Sequence, residues 1–259
     1  MTNSKYAVIM AGGSGTRFWP WSRENTPKQL LKIVCERSML QHAIDRITPA
    51  FKPENILIIT NKLHKEQIQK HVPQIPISNI VAEPIGRDTA PCIGLAATII
   101  QKISPNSIMV VMTADHIIEP ANRFIKLIET AVNVVSKNNS LLTVGIKPTE
   151  RSISYGYIHR GKQVLKENDF MVYEVKSFKE KPDKTTAQNF INTGEYYWNS
   201  GIFVWQTSKI LECLSQYTPK LALGLERIGI ALGTKSEWTT TEKEYQNFEK
   251  ISIEVAVNL

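Results

Sequence analysis

The chain has 259 residues, 42% hydrophobic and 21% charged, which is enough apolar material for a sizeable core and excludes wholesale disorder. It carries 31 basic against 24 acidic residues, a net charge of +7, but the two signs interleave, as in KSFKEKPDK (176–184), so small phosphorylated substrates explain the excess better than nucleic acid. The longest nearly apolar run, APCIGLAATII (90–100), falls short of the roughly 20 residues that a bilayer span needs.

The N-terminal MTNSKYAVIMAGGSG (1–15) has a short apolar run and then glycines, without the apolar length or cleavage site of a signal peptide, and Cys35, Cys92 and Cys213 form no CxxC pair. Both observations point to a reducing, cytoplasmic setting without a disulfide framework.

In chain order, YAVIM (6–10) reads as a buried strand and MLQHAIDRI (39–47) as a helix. ILIIT (56–60) is strand-like, and NKLHKEQIQKHV (61–72) is polar with Leu63, Ile68 and Val72 on one side. NIVAEP (79–84) starts as a strand and stops at Pro84; TAPCIGLAATIIQKI (89–103) suits a buried helix with Pro91 in its first turn. SIMVVMTAD (107–115) is a β-branched run, PANRFIKLIETAVNVV (120–135) an amphipathic helix, and LLTVGI (141–146) the next strand. This alternation predicts an α/β fold, a Rossmann-like mixed sheet, mostly parallel, with helices on both faces. Beyond residue 150 the pattern changes. YGYIHRG (155–161), VYEVKSFKE (172–180) and GIFVWQ (201–206) read as strands with few helices between them, extending the same sheet. LALGLERIGIAL (221–232) and the stretch near TEKEYQNFEK (241–250) read as helical.

AGGSGTRFWP (11–20) follows the first strand directly. In doubly wound sheets ligands sit at the carboxyl ends of strands. Gly12, Gly13 and Gly15 permit a tight turn whose N–H groups face an anion, and Arg17 adds a cationic fork suited to phosphate. A Walker loop is excluded because Thr16-Arg17 follows Gly15, and a dinucleotide fingerprint because Phe18 stands in place of its third glycine. Asp115, after the strongest strand, is either a helix N-cap or a metal carboxylate; the glycine loop on the first strand favours the metal.

GGSGTRFWPWSRENTPKQLL (12–31) closely resembles the signature loop of sugar nucleotidyltransferases, with the FWP and PKQ variants of mannose-1-phosphate guanylyltransferases. AEPIGRDTAP (82–91), MTADHII (112–118), FKEKPD (178–183) and WNSGIFVW (198–205) resemble further motifs of that family, in the same order. The resemblance implies transfer of GMP from GTP to mannose 1-phosphate, assisted by Mg²⁺. It implies Gly12, Gly13, Gly15 and Thr16 at the triphosphate, Arg17 at the departing pyrophosphate, Lys28 near the α-phosphate and Asp115 on the metal. Glu83, Pro84, Gly86, Arg87 and Thr89 are implied at base and ribose, although Asp88 stands where the family has Asn. On the sugar side it implies Gly156, Glu180, Lys181 and Asn199; Trp198 is read as a core residue.

ISIEVAVNL (251–259) resembles the family's SIDYAVME segment, with Glu254 in place of the aspartate as a possible second metal ligand. The Trp-x-Asp-x-Gly turn and the β-helical segment that follow in the family have no counterpart, so the resemblance implies a truncated catalytic domain. One domain over 1–259 is expected, with a nucleotide half to about residue 150 and a sugar half after it, as a monomer or weak homodimer with no nucleic acid or membrane partner. The rival readings are a sugar-1-phosphate nucleotidyltransferase of different base or sugar, and a nucleotide-binding remnant with little turnover.

Overall fold

A computed structural model describes residues 4–13, 19–23, 27–33 and 36–258. Four strands, β1 (Lys5–Met10), β2 (Ile56–Asn61), β3 (Ile80–Glu83) and β4 (Ile108–Thr113), lie parallel in the order β3-β2-β1-β4. The sheet continues through β8 (Tyr196–Gln206), β6 (Tyr157–Glu167) and β7 (Phe170–Lys179), all antiparallel, and β5 (Leu142–Ile146) also pairs with β8. The mixed sheet expected from the sequence is therefore present, and its polarity reverses at the β4–β8 pairing.

The buried residues show why the parallel strands read as unbroken apolar runs. Tyr6 and Val8, Leu57 and Ile59, and Met109 and Val111 face one core, while Ala7 and Ile9, Ile56 and Ile58, and Val110 and Met112 face the other. Side chains alternate along a strand, so a strand covered on both faces must be apolar at every position. Each such side chain contributes roughly 1.5–3 kcal/mol when fully buried.

One face is covered by α1 (Met39–Ile47), α2 (Lys65–His71) and α4 (Ala121–Asn138). Ser38 and Gln41 close the start of α1 with a reciprocal capping box. The other face is covered by α3 (Thr89–Ile103), α6 (Thr207–Tyr217), α7 (Pro219–Ala231), α8 (Glu237–Asn247) and the short α9 (Ile253–Ala256). Gly94 permits this layer: a Cβ there would collide with Leu225 of α7, so the two helices approach backbone to side chain. One helix falls where few were expected, α5 (Lys184–Thr193). Asp183 caps α5 by accepting from the Thr186 N–H, and Gly194, at φ 65, ends it in a left-handed turn. That turn sends the chain back into the sheet as β8.

Candidate active site

Because β8 runs against β4, its first residues reach the carboxyl ends of the parallel strands. The register passes from Ile108 opposite Gln206 to Val111 opposite Phe203, and a Cβ on Gly201 would sit 3.7 Å from Thr113. The loop after β1, the turn after β4 and the WNSG segment therefore share one end of the sheet, the position expected for a ligand.

Lys28 lies in a 3₁₀ turn, Lys28–Leu30, whose anchor is Gln29: its buried side chain donates to the Ala11 carbonyl at 2.5 Å. The Lys28 ammonium pairs with the Asp115 carboxylate. A Cβ on Gly13 would lie 3.2 Å from Lys28 Cε, so the glycine leaves room for the lysine stem. Burial alone would raise the Asp115 carboxyl, but the hydrogen bond and charge of Lys28, aided by Thr113, outweigh it and hold the group below its usual range. Asp115 does not cap α4, because Pro120 occupies that N-cap position without a side-chain bond. Arg46 of α1, 8% exposed, donates to the His116 carbonyl at 3.0 Å and stacks over Phe124, bracing the turn that carries Asp115. Periodicity alone assigned Arg46 no role; its side chain is recruited by the turn across the sheet end.

The 83–91 segment divides into two layers. Glu83 points inward: it is buried against Tyr245 and Cys92, with its Oε2 3.3 Å from where a Cβ of Gly12 would stand. Burial pushes its carboxyl up to about 7, although the neighbouring Tyr245 hydroxyl and Cys92 thiol oppose the shift. Pro84 is half-buried and Gly86 exposed in front of it. Arg87 turns away from the open face, donating from Nε to the Tyr245 carbonyl and from Nη2 to the Gln246 carbonyl, both at 2.9 Å. Asp88, at φ 69, accepts from the Thr89 N–H and caps α3. With ψ at −167 it lies outside the left-handed well that Asp and Asn tolerate, in a region usually kept for glycine, so the backbone is strained at this departure from the family pattern.

Of the residues expected on the sugar side, the structure brings Gly156, Glu180 and Asn199 together. A Cβ on Gly156 would meet Glu180 Oε1 at 2.6 Å and Asn199 Cβ at 3.7 Å, and Asn199 N donates to the Gly156 carbonyl at 2.8 Å. Lys181 is exposed and holds φ 39 in the turn after β7. Trp198 is half-buried and meets Tyr155 edge-on, with ring centroids 5.0 Å apart, so it lines the rim and is not a core residue. Glu254 of α9 faces Asn199, accepting from its amide at 2.7 Å. Gly15, Thr16 and Arg17 lie outside the described residues.

The family model described as nucleotidyl transferase matches residues 6–228. The chain belongs to the nucleotidyl transferase family. Among curated relatives, a mannose-1-phosphate guanylyltransferase of Escherichia coli is 40% identical over 227 residues, covering 85% of this chain and 48% of the relative. Another, from Escherichia coli strain K12, is 37% identical over 249 residues, covering 94% of this chain and 52% of its own. The chain thus spans about half the length of these relatives. A solved structure described as mannose-1-phosphate geranyltransferase from Thermus thermophilus superposes with a TM-score of 0.86 at 28% identity, covering all of this chain and 71% of that one.

For this family member the donor set suits a metal held jointly with substrate. Among the described residues no three His, Cys, Asp or Glu side chains cluster as a metal site, and the Asp115 carboxylate follows β4 beside Lys28. Mg²⁺ commonly takes one or two carboxylates and fills its remaining positions with phosphate oxygens and water. No helix among the described residues is long and apolar enough to cross a membrane.

Proposed function

We propose that this chain transfers GMP from GTP to mannose 1-phosphate, releasing pyrophosphate and GDP-mannose. The observation that carries the reading is the ion pair of Lys28 with Asp115, which sets a cation and a carboxylate side by side between the glycine loop and the end of β4. The relatives named mannose-1-phosphate guanylyltransferase, at 37% and 40% identity, supply the choice of base and sugar.

In this reading a phosphate oxygen of the sugar phosphate attacks the α-phosphorus of GTP, the bond to the β-phosphate bridging oxygen breaks, and pyrophosphate leaves with the electron pair. Both substrates are anions, so alignment and charge neutralisation dominate the barrier. Lys28 exchanges its carboxylate partner for the α-phosphate. Gly12 and Gly13, with Gly15 and Thr16, present backbone donors to the triphosphate, and Arg17 meets the leaving pyrophosphate. Pro84, Gly86 and the backbone of the following residues form the wall for base and ribose, with Glu83 and Thr89 supporting it from behind and Arg87 fixing it to the C-terminal helices. Gly156, Glu180 and Asn199 receive the sugar and Lys181 its phosphate. Asp115 would hold Mg²⁺, which supplies neutralisation of phosphate charge when bound. GTP and sugar phosphates are cytoplasmic metabolites, and this reading requires that compartment.

The test is pyrophosphate release with paired substrates. GTP with mannose 1-phosphate should support turnover, and GTP should stabilise the protein thermally where UTP and dTTP do not. Release with another nucleotide and sugar phosphate, and none with this pair, overturns the assignment of substrates. Absence of release with any pair overturns the assignment of activity.

A further inference from the structure

The residues from Tyr245 to Glu254 tie together two parts of the site that are remote in sequence. On one side they grip the 87–91 segment. The Tyr245 and Gln246 carbonyls accept from Arg87, and the Tyr245 hydroxyl donates to the Pro91 carbonyl at 3.2 Å. Ile251 N donates to the Arg87 carbonyl at 3.3 Å, and Ala90 N to the Ile251 carbonyl at 3.1 Å. Ile253 N donates to Thr89 Oγ1 at 2.8 Å. One residue further on, Glu254 reaches the opposite side and accepts from Asn199 Nδ2.

Asn199 has its other groups committed as well. Its Oδ1 accepts from the Gly201 N–H at 3.0 Å, across the left-handed turn that Gly201 makes at φ 67. With Oδ1 fixed from below and one Nδ2 proton on Glu254, the amide plane is set, and its second proton remains for a ligand hydroxyl. Glu254 is half-buried, while the neighbouring Ile253 and Ala256 are fully buried and anchor α9 beneath the start of α3.

We propose that Glu254 is a positioning residue of the sugar subsite, orienting the Asn199 amide and linking it through α9 to the nucleotide-side segment, and is not a metal ligand. This rests on the sugar–nucleotidyl transfer proposed above. It assigns Glu254 a task that needs only an acceptor oxygen, whereas a metal ligand needs a negative charge. Glutamine keeps the acceptor and loses the charge, so the two roles respond oppositely to the same substitution.

The experiment is steady-state pyrophosphate release by the full chain, varying mannose 1-phosphate, GTP and Mg²⁺ separately. Glu254→Ala should raise KM for the sugar phosphate about tenfold, the loss expected for a hydrogen bond to a charged group. KM for GTP and the Mg²⁺ concentration for half-maximal rate should stay unchanged. Glu254→Gln should restore the sugar KM. An alanine variant with an unaltered sugar KM overturns the proposal. So does a glutamine variant as impaired as alanine with a raised Mg²⁺ requirement. If alanine at 254 prevents folding, Asn199→Asp, which sets two carboxylates face to face, is compared with the exchanged pair N199D/E254Q. Partial recovery of sugar affinity in the exchanged pair supports the proposal, and no recovery overturns it. A wild-type chain that releases no pyrophosphate from GTP and mannose 1-phosphate overturns the functional reading itself, and is thereby distinguished from failure of the Glu254 assignment.

Discussion

Lys28 and Asp115 stand 87 positions apart in the chain and meet as an ion pair at the carboxyl end of the sheet. Each comes from a different strand connection, and the hydrogen bond and charge of the lysine hold the half-buried carboxyl below its usual range. In the reaction proposed above, the pair is a resting arrangement that an incoming triphosphate would divide, giving the cation to phosphate and freeing the carboxylate.

Lys28→Met should therefore lower kcat by about 10²–10³, the loss typical of one electrostatic contact to developing charge. The melting temperature should change far less. Because Lys28 is the main influence holding the Asp115 carboxyl low, its removal should let that carboxyl titrate higher. A group with a depressed folded pKa contributes stability above its unfolded pKa and loses it as pH falls through the folded one. Wild type should thus be more stable than the variant above the ordinary carboxylate value of 3.8 and lose that advantage as pH falls below it, as read from melting curves between about pH 2 and 6.

Glu83 behaves in the opposite sense. Its carboxyl titrates at about 7 when folded against 4.5 ordinarily. Between those values the unfolded chain has released a proton that the folded chain keeps, so stability falls as pH rises through this window and levels off above it. Glu83→Gln abolishes that titration. Relative to wild type, the variant should gain stability from pH 4.5 to pH 8, by of order 1–3 kcal/mol in denaturant titrations. A pH-independent difference would show that Glu83 is ionised throughout.

Arg87→Ala should act on the C-terminal helices before it acts on chemistry. Its guanidinium donates to two carbonyls of α8, each bond from a charged donor worth roughly 1.5–3 kcal/mol before allowance for solvent access. The expected outcome is a lower melting temperature, with faster amide exchange at Ile251 and Ile253, whose N–H groups bond to the 87–89 segment. Exchange that quickens uniformly over the whole chain would contradict this local role.

Lys181→Ala should chiefly raise KM for the sugar phosphate while KM for GTP stays nearly constant, because Lys181 follows β7 next to Glu180, whose carboxylate lies against Gly156 in the proposed sugar subsite. Lys181→Gly should show the same kinetic loss with less loss of stability, since φ 39 favours glycine. Equal weakening of both substrates would place Lys181 between the two halves of the site.

The elements of the first 150 residues were legible because they report locally. Strands covered on both faces must be apolar throughout, as Val8, Ile58 and Val110 are, and an amphipathic helix such as α4 repeats its apolar positions at helical spacing. The glycine loop and the strand-end aspartate were legible for the same reason, as short patterns that follow a recognisable strand. What the sequence could not express was which side chains the sheet would bring together. The antiparallel course of β8 carries Asn199 to the ends of the parallel strands, and α9, with few periodic positions to announce it, sets Glu254 against Asn199. Arg87 reads as a cation beside a nucleotide, yet its charge is taken up by carbonyls of a helix more than 150 residues later. Glu83 reads as a polar lining residue, yet it is buried because Tyr245 and Cys92 close over it. Periodicity and turn chemistry act over a few residues and are written in the chain. The partner of a charged or amide side chain is settled by packing between distant segments, and only the folded protein decides it.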